Sequence, residues 1–372
     1  MPINHLNNVK GSITKLIGLA GPLQVLTYRG YGSADRLCFR GRVLRDDGLH
    51  PCDEDWPVWK NALNMWRRFD HDEVPGAKLR VTFQDQTHEV ETDGAGFFFD
   101  EMRPHQPLSG EDLWHEAKVE LIEPRTKKET PEAVAQLLVP RSQAQFGIIS
   151  DIDDTIVHTS ATDLWKMIRL AYLGNSQTRL PIPGIPDLYQ AFHAGDDDQH
   201  KNPIFYVSSS AWNMYDLFEE FMDAQGLPAG PISLVALDLS WSKLLSFEHS
   251  DHKRSEIEPI LEQYPDLPFI LIGDSGQKDP EIYTQLVQNH PDRIACIYIR
   301  NIPKERPERQ SELDALKDQV RQAGSELVTF EDANAVARHA NQRGWIRAEA
   351  IEAVNQAVAA AEPLPIGSSS SR

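Results

Sequence analysis

Three aspartates crowd one short stretch, "FGIISDIDDTIVHT", where Asp151, Asp153 and Asp154 follow an apolar run almost without a gap. Carboxylates about 4 Å apart repel by roughly 4 kcal/mol at an effective dielectric near 20. A positive partner is therefore expected among them. Hard oxygen donors of this kind suit a divalent cation such as Mg²⁺. A carboxylate held in such a place can also act as a nucleophile, splitting one difficult displacement into two easier ones. The companions lie further along: Ser208 directly after "IFYV", Asp274 directly after "FILIG", and Lys253 upstream of Asp274 in "SDHKRSEIEPIL".

These residues need elements to bring them together, and the sequence supplies a pattern. From about residue 144, short aliphatic runs alternate with helical stretches: "FGIIS", "IFYVS", "ISLVAL", "FILIG", "IACIYI" and "LVTF". Runs apolar on both faces are strands of a parallel sheet covered by helices. In open sheets of that kind ligands bind at the carboxyl ends of the strands. Three strand ends thus offer a carboxylate, a hydroxyl and a carboxylate, and Lys253 is expected at the start of the helix leading into the Asp274 strand.

Upstream, from about 31 to 123, the apolar period is two. "RLCFRGRVL" alternates through Leu37, Phe39 and Val43, "KLRVTF" through Leu79, Val81 and Phe83, and "HEAKVELI" through Ala117, Val119 and Leu121, with a turn signal at "TDGAG". This predicts an N-terminal antiparallel β-sandwich. A helical stripe of Trp56, Trp59, Leu63 and Trp66 interrupts it. That stripe either packs on the sandwich or offers its indoles to a partner or a lipid surface.

The expected division is therefore a helical lead-in over 1–30, an immunoglobulin- or transthyretin-like sandwich over 31–123, and a polar linker over 124–143 with a short helix around 131–138. An α/β domain over 144–345 follows, with a cap at about 160–200, and residues 346–372 form a last helix and a disordered tail. The cap stretch carries "TDLWKMIRLAYLG" and "RLPIPGIPDLYQAF". If it covers the site it excludes water, and its apolar stripe with Lys166, Arg169 and Arg179 suits a lipid phosphate better than a sugar phosphate. The alternative is that the stripe packs on the core.

Taken in order, Asp151-x-Asp153-x-Thr155, Ser208, Lys253 and Gly273-Asp274-x-x-x-x-Asp279 resemble the four signatures of the haloacid-dehalogenase (HAD) superfamily. More narrowly, "SDIDDTI", "YVSSSAWNMYDLFEEF", "HKRSEIEPIL", "LIGDSGQKDPEIY" and "IYIRNI" resemble the catalytic domain of the actin-patch-associated phosphatidate phosphatase family over about residues 145–302. That family usually has Ser-Asn-Ser at the second strand end. Here it is Ser208-Ser209-Ser210, which removes an amide at 209 and keeps Ser208.

The resemblance implies a HAD-like Rossmannoid parallel sheet with a small helical cap, and a Mg²⁺-dependent phosphomonoesterase working through an aspartyl-phosphate. Asp151 is then the nucleophile. Asp153 protonates the leaving alcohol and afterwards takes a proton from water. Asp151, Asp274 and the Asp153 backbone carbonyl hold the cation. Lys253 adds a positive charge beside Asp151 and the phosphoryl group. Ser208 donates to that group and Thr155 secures the loop. Asp279 and Ser275 stand behind these residues, with Asp279 orienting Lys253 or a water of the cation's shell. Asp154 faces solvent or a turn. Structural alternatives remain: Ser208 or Asp279 as helix caps, with Pro280 suited to a first helical turn, and Lys243 in place of Lys253.

The expected substrate is phosphatidate or a related lipid phosphate. The alternatives are a soluble small-molecule or protein phosphomonoester, or a non-catalytic binding scaffold. The net charge of −19 argues against nucleic acid and lasting residence on anionic membranes, and leaves transient contact with a membrane surface. His158, His249 and His252 lie near the motifs but lack the spacing of a zinc site. With Cys38, Cys52 and Cys296 alone, no basic head before a long apolar core, and no run of about 18 apolar residues, a cytoplasmic protein is expected. The partner of the β domain is left open.

Overall fold

The computed structural model describes residues 22–45, 73–108, 110–126, 130–153, 155–156, 181–235, 249–302 and 307–361. The expectations for residues 1–21, the Trp56–Trp66 stripe, Asp154, His158, the cap stretch up to 180, Lys243, the tail, and the side chains of His249 and His252 lie outside the described residues. The chain divides into two compact units between Val139 and Pro140.

The first unit contains β1 (Leu23–Ser33), β2 (Arg36–Arg45), β3 (Lys78–Phe83), β4 (Gln86–Glu91), β5 (Phe97–Met102), β6 (Trp114–Glu123) and β7 (Glu132–Leu138). They form one sheet in the order β4-β3-β6-β7-β1-β2-β5. Neighbours are antiparallel except β1 and β7, which pair in parallel through Gly30 and Tyr31. Where two stacked layers were expected, β1 joins both halves by pairing with β2 on one side and β7 on the other. Gly30 permits this, because a Cβ there would overlap the Cys38 carbonyl and the Leu137 side chain. The sheet curls until its two edge strands meet, with His88 Nδ1 3.4 Å from Asp100 Oδ1. Leu37, Phe39 and Val43 from one half share a single core with Leu79, Val81 and Leu121 from the other.

Two local readings are corrected. Residues from Leu23 are strand rather than helical lead-in, and "EAVAQLL" is strand β7 rather than a short helix. Its Ala, Gln and Leu favour helix, but Ala135 and Leu137 alternate inward and β6 pairs along its whole length. Tertiary pairing overrides the local preference.

The second unit turns each of the six aliphatic runs into a strand: β8 (Gly147–Asp151), β9 (Ile204–Ala211), β10 (Ile232–Val235), β11 (Phe269–Asp274), β12 (Ile294–Arg300) and β13 (Leu327–Phe330). The helices are α1 (Ile185–Ala194), α2 (Tyr215–Ala224), α3 (His249–Gln263), α4 (Asp279–Asn289), α5 (Pro307–Gln322), α6 (Ala333–Gln342) and α7 (Ala348–Ala360). All strand pairs are parallel, in the order β10-β9-β8-β11-β12-β13. The chain steps from β8 to one edge, returns to β11 on the other side of β8, and continues to the opposite edge. The switch point, where doubly wound sheets bind ligands, therefore lies between the carboxyl ends of β8 and β11.

Alternation along β8 assigns its faces. Phe146 and Ser150 look toward α1, where they meet Phe192 (ring centroids 6.1 Å apart) and Tyr189. Gly147 and Asp151 look the other way. There Gly147 lies under the Phe269 ring, which clusters with Phe205 and Tyr264 beyond α3. Helix α1 occupies the second half of the expected cap stretch, yet buries Leu188, Tyr189 and Phe192. No helix among the described residues is long and apolar enough to cross a membrane.

Candidate active site

At the end of β8, Asp151 is almost fully buried, and Lys253 Nζ of α3 lies 2.9 Å from its Oδ1. The Thr155 hydroxyl donates to Asp151 Oδ2 at 3.3 Å. Lys253, itself 2% exposed, also donates to Asp279 Oδ1 at the first turn of α4. Asp274, ending β11, has its Oδ1 held by the N–H groups of Gly276 (2.6 Å) and Gln277 (3.0 Å). Its own N–H donates to Asp279 Oδ2 at 3.3 Å. Gly273 makes this approach possible, since a Cβ there would overlap the Asp279 carboxylate. Asp151, Asp274 and Asp279 each offer an oxygen within 4.8 Å of the other two. Beside this trio, Ser208 donates to Asp153 Oδ2 at 2.7 Å while accepting the N–H of Ser210 at 2.9 Å.

Four buried carboxylates thus surround one buried ammonium, a balance that burial alone penalises heavily. Burial pushes the Asp151 carboxyl well above its usual range; Lys253 opposes this, and Asp279, Asp153 and Asp274 reinforce it. The Lys253 ammonium is disfavoured by burial, but Asp151 and Asp279 more than offset this and hold its pKa above the ordinary value. Asp274 is pushed up to about 7 by burial and then by Asp279, against Lys253 and the two loop N–H groups. Its Oδ2 is buried without a hydrogen-bond partner. A cluster of hard oxygens, Asp274 Oδ2 among those without a hydrogen bond, with four carboxylates against one ammonium, fits a small divalent cation.

This gives a pH prediction. Unfolded, Asp274 loses its proton near pH 4; folded, it keeps it to about 7. Between those values the folded chain holds the extra proton, so cation-free stability falls as pH rises through the window. Cation binding favours the deprotonated carboxylate. If a divalent cation such as Mg²⁺ binds here, the rise in melting temperature that it causes should therefore be larger at pH 8 than at pH 5, as read by thermal melts of the full chain; equal rises at both would contradict this charge balance.

The structure gathers Asp151, Asp153, Thr155, Ser208, Lys253, Asp274 and Asp279, all named from the sequence, around the switch point. It places Asp279 as the third carboxylate of the trio, and turns the Asp153 side chain toward Ser208. Ser275 accepts the N–H of Ile302 at its hydroxyl oxygen, at 3.1 Å. Two supporting residues were not foreseen. Ser150 donates its only hydroxyl proton to the Asp151 carbonyl at 2.7 Å, so Tyr189, whose hydroxyl lies 2.7 Å from Ser150 Oγ, must donate to Ser150. The polar Ser closing an otherwise apolar run was the available signal.

Comparison with known proteins adds a second line. The family described as "Phosphatidate phosphatase APP1, catalytic domain" matches residues 146–301. Phosphatidate phosphatase APP1 of Saccharomyces cerevisiae is 36% identical over 156 residues, covering 42% of this chain and 26% of that protein. An uncharacterized protein of Schizosaccharomyces pombe is 29% identical over 163 residues, covering 42% and 25%. The chain thus spans about a quarter of the length of the curated relatives it matches. Among solved structures, a carbohydrate acetylesterase from Xanthomonas citri aligns over 81% of this chain and 66% of its own, at 10% identity and a TM-score of 0.28, too little to bear on the fold. The matched segment begins just before β8 and ends just after β12, so it encloses every residue of the carboxylate cluster. Residues 146–301 are a segment similar to the catalytic domain of phosphatidate phosphatase APP1.

Proposed function

We propose that the α/β unit is a HAD-type, Mg²⁺-dependent phosphomonoesterase that hydrolyses phosphatidate or a related lipid phosphate through an aspartyl-phosphate on Asp151. The observation that carries this reading is the buried trio Asp151, Asp274 and Asp279 with Lys253 between two of its members. The similarity of 146–301 to a phosphatidate phosphatase catalytic domain supports the substrate class. Asp151, Asp274 and Asp279, with the Asp153 backbone carbonyl, would hold the cation, which when bound supplies Lewis-acid neutralisation of the phosphoryl oxygens.

The residues divide the chemistry as follows. An Asp151 carboxylate oxygen attacks phosphorus, and the bond from phosphorus to the alcohol oxygen breaks. The departing oxygen takes the proton of Asp153, whose carboxyl Ser208 holds in place. Asp153, now a carboxylate, accepts a proton from water as the water oxygen attacks phosphorus. The bond to Asp151 breaks, and inorganic phosphate leaves with Asp151 restored. Lys253 stabilises the negative charge that gathers beside Asp151 in both halves. The proposal places the chain in the cytoplasm, where the free, buried thiols of Cys38 and Cys296 stay reduced.

The test is phosphate release from short-chain phosphatidate and from p-nitrophenyl phosphate, with and without vesicles and with Mg²⁺ or a chelator. The expected result is chelator-sensitive release that favours phosphatidate. Release from p-nitrophenyl phosphate alone would move the reading to a soluble substrate. No release from any phosphomonoester would leave a binding scaffold.

A further inference from the structure

We propose that Arg309 is a positioning residue for the divalent-cation site, acting on Asp274 through the Ser275–Gly276 peptide; the inference rests on the cation-dependent reading above. Arg309 lies in the first turn of α5, beyond the segment shared with the phosphatidate phosphatase catalytic domain. Its Nε donates to the Ser275 carbonyl at 3.1 Å and its Nη2 to the Gln277 carbonyl at 3.0 Å. Nη1 and Nη2 together fork the Glu281 carboxylate in α4, and Nη1 reaches Glu312 at 3.0 Å.

The loop thus gripped, Ser275 to Lys278, is the whole connection between Asp274 and Asp279. In a trans peptide the carbonyl and the N–H point to opposite sides. The peptide whose carbonyl Arg309 takes therefore sends the Gly276 N–H inward, where it donates to Asp274 Oδ1 at 2.6 Å. With Oδ1 fixed in this way, the orphaned Oδ2 is the oxygen left for a cation. Glu281 and Glu312 together more than offset the guanidinium's single charge, so its contribution to the site is orientation rather than field. Only a planar fork can hold two carbonyls and a carboxylate at once; an ammonium cannot reproduce it.

The test uses Mn²⁺, bound to the full chain and followed by electron paramagnetic resonance, with a metal-free melt of each protein alongside. Arg309→Ala is expected to weaken Mn²⁺ by about 10- to 100-fold, and Arg309→Lys to weaken it as well despite keeping the charge. Free guanidinium ion at millimolar concentration should restore part of the affinity of Arg309→Ala. Arg321→Ala, on the same helix and paired with Asp318 at the surface, should bind as the parent does. A residue that merely tied α5 to α4 would lower the metal-free melt and leave Mn²⁺ affinity alone. Unchanged affinity in both Arg309 variants overturns the inference while leaving the cation site standing. Failure of the folded parent to bind Mn²⁺ overturns the cation reading and the inference with it. If Arg309→Ala does not fold, Arg309→Lys decides.

Discussion

Asp151→Asn is expected to abolish the proposed phosphate release, by about 10⁴-fold or more, without unfolding the chain. The amide keeps the shape of the carboxylate but lacks the charge proposed to attack phosphorus. Its oxygen can still accept from Lys253, and Lys253 keeps its second partner, Asp279. The substitution also removes one of several like charges that burial forces together; burial first, and then these neighbours, raise the Asp151 pKa. The cation-free melting temperature should therefore hold or rise while turnover disappears. Loss of both would point to a structural role, and retained turnover would reject Asp151 as nucleophile.

Lys253→Met carries the largest expected cost in stability. The ammonium is buried between Asp151 and Asp279, and Met replaces much of its stem but none of its charge. Removing one partner of a buried ion pair typically costs about 3–5 kcal/mol, because the other charge is left uncompensated. The deficit should shrink at low pH. Burial already holds the Asp151 carboxyl above its usual range, and losing Lys253, the opposing influence, raises it further. Over the interval between its unfolded and folded pKa, the folded variant binds more protons than the unfolded chain, so its stability increases as pH falls. Urea unfolding of parent and variant at pH 5 and pH 8 reads this directly. A variant as stable as the parent at pH 8 would mean that Lys253 does not neutralise the cluster.

The parallel sheet was legible because its strands are buried on both faces. Each reads as an aliphatic run, and all six quoted runs became strands. Asp151 and Asp274 were legible as a pair because both close such runs, and the order of the sheet sets their strands side by side. The first unit was harder. In β4, "QTHEVE", no buried face marks the strand, and β7 carries helix-favouring residues whose period emerges only through pairing with β6. At the site, long-range side-chain contacts escaped the sequence. Tyr189 on Ser150 and the turn of Asp153 toward Ser208 join residues far apart in the chain with no local pattern to announce them. The place of Asp279 in the trio depends on the bare backbone at Gly273, visible in the motif but not in its consequence.

Covalent capture of phosphorus by Asp151 is the step on which the account depends. The most direct measurement is an acid quench of the full chain during turnover of short-chain phosphatidate with Mg²⁺, followed by peptide mass spectrometry. The account predicts one phosphoryl group on the peptide carrying Asp151, absent from Asp151→Asn and lost on treatment with hydroxylamine. Phosphoryl transfer to a different residue would contradict it.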